Sequence, residues 1–215
     1  MVRAFKNRAT AGRALAEALA RKSLDADAVV LGLPRGGVPV AAEITEALAL
    51  ELDILNVRKL GVPWHPELAL GAIAEDGTRI LHQDLIRDLN ISADEIEAIA
   101  AREQATLKRR TEIFRGTGQE ADIKDRQVIL VDDGLATGAT MEAAIKAVRH
   151  RQPNRVVVAV PVGPPGTARH FGQLADACIC LEEPANFQAV GLWYETFDQV
   201  SDEEVSRLLQ EHRKR

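Results

Sequence analysis

Val128-Ile129-Leu130-Val131-Asp132-Asp133-Gly134-Leu135-Ala136-Thr137-Gly138-Ala139-Thr140 is the stretch around which the chain is arranged. Four apolar, mostly β-branched residues bounded by polar groups and glycine predict a fully buried strand. Two adjacent carboxylates follow where that strand leaves its sheet, and then a short loop of small residues. Met141, Ala144, Ile145 and Val148 recur at helical spacing, so a helix begins near Thr140. A strand, a Gly/Thr-rich turn and a helix N-terminus together make an anion site: the first amides of the helix lack intrahelical acceptors and its dipole is positive there. The hydroxyls of Thr137 and Thr140 can add hydrogen bonds. Asp132 and Asp133 repel a bare phosphate, so they must face sugar hydroxyls or a hydrated cation. Phosphate at one end and a diol at the other describe a ribose 5-phosphate. A nucleotide-binding P-loop is excluded, because no Gly-Lys-Ser/Thr follows.

This strand, acid pair and Gly/Ala/Thr loop resemble the motif with which type I phosphoribosyltransferases bind 5-phosphoribosyl 1-diphosphate (PRPP). The resemblance runs without a gap from Val128 to Thr140. It implies that Gly134, Ala136, Thr137, Gly138, Ala139 and Thr140 hold the 5-phosphate and that Asp132 and Asp133 hold the ring. It also implies Mg²⁺, reached by the two acids only through PRPP oxygens and water.

Earlier in the chain the pattern recurs. Ala28-Val29-Val30-Leu31 reads as a strand, Gly32-Leu33-Pro34-Arg35-Gly36-Gly37 as a turn, and Val40, Ala41, Ile44, Ala47 and Leu48 as one face of a helix. Such a loop offers free N–H groups and one guanidinium to an anion. In the type I family the corresponding loop holds the pyrophosphate of PRPP, which makes Arg35, Gly36 and Gly37 leaving-group contacts. Leu52 to Val57 reads as a third strand ending in Arg58-Lys59, with Lys59 a further cation for the leaving group. Val62-Pro63-Trp64-His65-Pro66-Glu67 has no periodicity and reads as a mobile lid, with His65 simply exposed. Arg35, Lys59, Asp132 and Asp133 are the expected catalytic residues.

Around these loops the rest of the chain falls into place. Ala11, Leu15, Ala18 and Leu19 mark an opening helix. Glu75-Asp76-Gly77 between two apolar runs signals a hairpin arm. Ser92-Ala93-Asp94-Glu95 is a capping box opening a long helix to about Arg115, where Arg109 and Arg110 either suit its negative end or reach a neighbouring subunit's site. Arg155 to Val160 is a strand broken by Pro161, Thr167 to Leu174 a short helix, and Ala177 to Leu181 a fifth core strand. Cys178 and Cys180 point the same way on that strand, poor geometry for a disulfide, and read as buried reduced thiols. A cluster of aromatic residues from Phe187 to Phe197 either packs a cap on the core or supplies a stacking face. A last helix with Val205, Leu208 and Leu209 leads to a basic end.

Strands alternating with helices predict an α/β fold: a doubly wound, mainly parallel five-stranded sheet, with a hairpin arm, a long inserted helix and a small hood from terminal segments. The division expected is a core over residues 1–183 and an aromatic hood over 184–215. At 215 residues and a net charge of −5, the chain suits one α/β core and no general nucleic-acid surface. No apolar run is long enough for a bilayer, and a secretory signal is absent from the opening residues, so a cytoplasmic location is expected. The resemblance extends, through Leu-Pro-Arg-Gly-Gly and the late Ala189-Val190-Gly191-Leu192-Trp193-Tyr194-Glu195-Thr196-Phe197, to a subgroup of uncharacterised family members, some of them fused to hydrolase-like domains. It implies Mg-dependent transfer of a phosphoribosyl group from PRPP to a nitrogen nucleophile, a nucleobase-like acceptor, by a homodimer. The alternatives are a non-catalytic PRPP or nucleotide sensor and a ribose-phosphate hydrolase or phosphorylase.

Overall fold

A computed structural model describes residues 5–116 and 118–212. Its centre is one parallel sheet of five strands: β1 (Val29–Gly32), β2 (Glu51–Ile54), β6 (Gln127–Val131), β7 (Arg155–Val162) and β8 (Ala177–Glu182), in the order β2-β1-β6-β7-β8. Alternate residues of each strand face opposite layers. Val30, Ile129, Val131, Val157 and Ala159 meet α1 (Arg8–Ala20), α2 (Gly37–Leu48) and α7 (Asp202–His212). Val29, Leu31, Val128, Leu130, Val156 and Val158 meet α5 (Ala139–His150) and α6 (Thr167–Leu174). Both faces of the sheet are therefore covered, which is why its central strands β1, β6 and β7 read as nearly unbroken apolar runs. Among the described residues no helix is long and apolar enough to cross a membrane.

The strand order fixes where a ligand can bind. From β1 the chain winds outward to β2, and from β6 it winds the other way to β7 and β8. The connections diverge between β1 and β6 and leave a crevice at the carboxyl ends of those two strands. Gly32 pairs with Val131 in register, so the two glycine-containing loops emerge side by side.

The second sheet departs from the expected arrangement. The apolar run Leu52 to Val57 is two strands, not one: β2 ends at Ile54 and β3 (Val57–Val62) belongs to a separate antiparallel sheet with β4 (His65–Ala74) and β5 (Arg79–Leu81). Asn56 makes the crossing, its side chain donating to Thr111 and its carbonyl accepting from Glu75 N–H. Arg58 and Lys59 thus lie within β3, not at the end of a core strand. The stretch read as a lid is the tight turn at Pro63-Trp64 between β3 and β4. The side chains of Pro66 and Glu67 lie outside what the structure describes. The expected hairpin is present as β4–β5 and forms two-thirds of this arm. Leu60, Leu70 and Ile73 of the arm pack on Ile99, Ala100 and Leu107 of α4 (Ala93–Arg115) and on Ile86 of α3 (Gln83–Asp88). Ser92 and Glu95 form the capping box that starts α4.

A buried ion cluster ties arm to core. Arg115, at the end of α4, donates to both oxygens of Asp53 and to the Ile54 carbonyl, and lies 2.8 Å from Glu75. Burial pushes the Glu75 carboxyl upward, against the pull of Arg115. β7 runs through Pro161 to Val162 and does not break there. Its last pairing with β6 is at Ala159, so Pro161 stands where that side needs no ladder donor. Cys178 and Cys180 are half-buried because β8 is the edge strand; burial still pushes both thiols up to about 12. The basic end Arg213-Lys214-Arg215 lies outside the described residues.

Candidate functional site

The loop after β1 turns tightly into α2. Gly37 N–H donates to the Leu33 carbonyl at 3.0 Å and Val38 N–H to the Arg35 carbonyl at 3.2 Å. The Pro34–Arg35 peptide is cis. This loop leans directly on the end of β6: a Cβ on Gly37 would lie 2.5 Å from the Val131 carbonyl oxygen and 2.9 Å from the Cα of Asp132. A Cβ on Gly36 would lie 2.0 Å from Asp133 Oδ2. Glycine at both positions lets the two loops touch. The guanidinium of Arg35, half-exposed, lies 3.6 Å from Asp202 at the start of α7, and Asp202 is also 4.0 Å from Arg110.

The loop after β6 carries the acid pair. Asp132 Oδ1 accepts from Asp133 N–H at 2.9 Å. Asp133 Oδ2 accepts from Arg8 Nε at 2.8 Å. Burial raises the pKa of both, most for Asp132, where the charge of Asp133 adds to burial; Arg8 works against the shift at Asp133. Two like charges side by side in a half-buried crevice call for a partner that neutralises or hydrogen-bonds them. Gly138 follows in the left-handed region (φ 74°) and is packed against the Phe171 ring, which a Cβ would approach to 2.6 Å. It caps α5 without a side-chain bond, so the Thr140 and Met141 amides have no acceptor among the described residues and point out of the helix as anion donors. Thr137 and Thr140 are exposed at the rim.

Lys59 reaches the same place from the arm. A cleft of about 560 Å³ is lined by Pro34 of the first loop, Thr140 of the second, Arg58 and Lys59 of β3, and Arg110 of α4. Lys59 has no ion-pair partner among the described residues, whereas Arg58 is bonded to Glu103 at 2.7 Å. Pro34, Lys59 and Thr140 thus border one cleft although they come from two sheets, and Gly36 and Gly37 lie against Asp133 and the Val131–Asp132 backbone. Leu135, Ala136, Thr137 and Gly138 line a separate cavity of about 200 Å³ with Pro164, Thr167 and Phe171. Arg109 lines neither. His65 is exposed at the start of β4.

Three residues at the site have no signature in the local sequence. Arg8 begins α1 and lies 125 positions before its partner Asp133. Tyr194 donates its hydroxyl to the Asp133 carbonyl at 2.6 Å, and burial raises its pKa. Asp202 faces Arg35 and Arg110. Only the aromatic cluster from Phe187 to Phe197 hinted at any of them. Among the described residues no three His, Cys, Asp or Glu side chains converge as a metal cage.

Comparison with known proteins is consistent across sequence and structure. A family model described as a phosphoribosyl transferase domain matches residues 2–195. A Mycobacterium tuberculosis protein provisionally named a phosphoribosyl transferase is 47% identical over 205 residues, which are 95% of this chain and 46% of that protein. The chain thus spans about half the length of the curated relatives it matches. The bifunctional protein PyrR of Clostridium novyi is 28% identical over 137 residues, 63% of this chain and 57% of that protein. The crystal structure of TT1426 from Thermus thermophilus superposes with a TM-score of 0.88 at 44% identity, covering 98% of this chain and all of that one.

Proposed function

The chain belongs to the phosphoribosyl transferase family, and from that premise we propose that it moves a 5-phosphoribosyl group from PRPP to a nitrogen nucleophile with release of pyrophosphate. The observation that carries this reading is the contact between the two loops at the switch point, where Gly36 lies against Asp133. One anion cradle stands on each side of the acid pair. PRPP has that shape: a phosphate at one end, a pyrophosphate at the other, and a diol between.

In this reading the amides and hydroxyls from Ala136 to Thr140 hold the 5-phosphate, with Gly134 and Gly138 giving the loop its close packing. Asp132 and Asp133 hold the ring hydroxyls and favour positive charge developing at C1. Arg35, the Gly36 amide and Lys59 receive the departing pyrophosphate, the charge that most needs stabilising as the C–O bond breaks, while Gly37, its own amide taken by the Leu33 carbonyl, lets the loop lie against β6. Fixing both ends of the sugar also supplies orientation, which converts an encounter into a near-attack geometry. Mg²⁺, held beside Asp132 and Asp133 through PRPP oxygens and water, would neutralise pyrophosphate charge when bound. The nucleophile is a nucleobase-like acceptor. Residues 1–183 form the catalytic core and 184–215 the hood and cap in this account. The working unit is a homodimer in the cytoplasm, without nucleic acid or membrane.

Incubation with PRPP, Mg²⁺ and a panel of purine, pyrimidine and pyridine bases, followed by pyrophosphate detection, tests the reading. Base-dependent release supports transfer and identifies the acceptor. Tight PRPP binding without release from any base would favour a sensor, and turnover of a ribose phosphate without PRPP would favour a hydrolase or phosphorylase.

A further inference from the structure

We propose that Arg8 is a positioning residue that sets the site's preference for a ribose ring carrying its vicinal diol, a role that rests on the reading of Asp132 and Asp133 as the ring clamp. Two of the four carboxylate oxygens of the acid pair are already engaged within the fold. Asp132 Oδ1 is taken by a backbone amide and Asp133 Oδ2 by Arg8. Asp132 Oδ2 and Asp133 Oδ1 have no hydrogen-bond partner among the described residues. One free acceptor per acid, on adjacent residues, is what two neighbouring hydroxyls require, with the 2-hydroxyl on Asp133, the acid that Arg8 holds, and the 3-hydroxyl on Asp132.

Arg8 makes that division of labour possible. Its Nε engages Asp133, its Nη1 donates to the Asp198 carbonyl at 2.7 Å, and its guanidinium lies 3.9 Å over the Phe197 ring. Its side chain is 13% exposed. A guanidinium held at three points cannot follow a ligand; it can only fix its partner. Asp133 is further pinned by Tyr194 at its carbonyl and by Gly36 against Oδ2. The carboxylate is thus wedged in one orientation before any sugar arrives, and the ordering cost is met in the fold rather than on binding. Stability alone gives little reason for such an arrangement, because a buried ion pair recovers about what its desolvation costs. Orientation of the free oxygen is what the pair supplies.

The test compares ribose 5-phosphate with 2-deoxyribose 5-phosphate by calorimetry on the unaltered chain, Arg8→Gln and Arg8→Lys. The unaltered chain should prefer ribose 5-phosphate. Arg8→Gln should weaken ribose 5-phosphate by about tenfold or more, the worth of one charge-assisted contact, and leave the deoxy sugar nearly unchanged. Arg8→Lys, keeping charge but losing the fork, should fall between. In an Asp133→Asn background Arg8→Gln should add no further loss, which distinguishes positioning from general support of the fold. Equal weakening of both sugars, additive losses with Asp133→Asn, or tighter ribose 5-phosphate binding by Arg8→Gln would each overturn the proposal. Binding of both sugars without preference by the unaltered chain would overturn it while sparing the phosphate cradle. Failure to bind either sugar would overturn the site reading itself, and this proposal with it.

Discussion

Gly37→Ala probes the contact between the two loops with the smallest possible change. The added Cβ would meet the Val131 carbonyl oxygen at 2.5 Å and the Asp132 Cα at 2.9 Å, both of them backbone. Neither can swing aside as a side chain would. Ordinary van der Waals contact begins near 3.4 Å, so the β1 loop and the end of β6 must separate by about 0.9 Å. Overpacking of that kind costs about 1–3 kcal/mol, which a domain of this size survives. A displacement near 1 Å between groups that must grip one substrate costs on the order of 10²-fold in rate. The expected outcome is a folded protein, with a thermal midpoint lowered by a few degrees, whose PRPP affinity and pyrophosphate release fall far more than its stability. Circular dichroism melts and PRPP calorimetry on one preparation check it. A variant that binds PRPP as tightly as the unaltered chain would refute the claim that both loops hold one ligand.

Other consequences follow from the charges. Burial raises both acid pKa values, so the ligand-free fold gains stability as pH falls through those raised values, and PRPP affinity moves the opposite way because the grip needs ionised oxygens. Affinity should decline on acidification sooner than for ordinary carboxylates, in a calorimetric pH series. Asp132→Asn should raise the ligand-free melting temperature and abolish PRPP binding; a lowered melting temperature would contradict the charge argument. Arg35→Ala should cost on the order of 10²–10³ in pyrophosphate release while leaving the melting curve nearly unchanged. Arg115→Ala leaves Asp53 and Glu75 buried without their cation, and should cost about 3–5 kcal/mol in urea denaturation, with ligand affinity intact in the folded fraction.

Much of this architecture was legible because burial on two faces leaves a plain mark. Val128 to Val131 and Val156 to Val160 are apolar without alternation, as strands covered on both sides must be. The capping box at Ser92 and the glycine-containing loops were equally local signals. Legibility failed where a local pattern has two tertiary outcomes. Leu52 to Val57 is a continuous strand-like run, and nothing in it marks the change of sheet at Leu55-Asn56, because both sheets demand the same period. Lys59 comes to the loops from an antiparallel arm, not from the end of a core strand, and its local sequence is the same in either case. Pro63 suggested a loop, yet a two-residue turn is all the arm needs there. Arg8 was invisible for a different reason. An arginine opening a helix reads as solvated until the fold sets it against Asp133 and Phe197, and only chain topology supplies those neighbours.

Calorimetric titration of the unaltered chain with PRPP and Mg²⁺, repeated with saturating ribose 5-phosphate and then with saturating pyrophosphate, bears most directly on the paired-cradle site. The account predicts one PRPP per chain, displaced by either competitor, since each occupies one end. Absence of PRPP binding, or PRPP binding indifferent to both competitors, would contradict it.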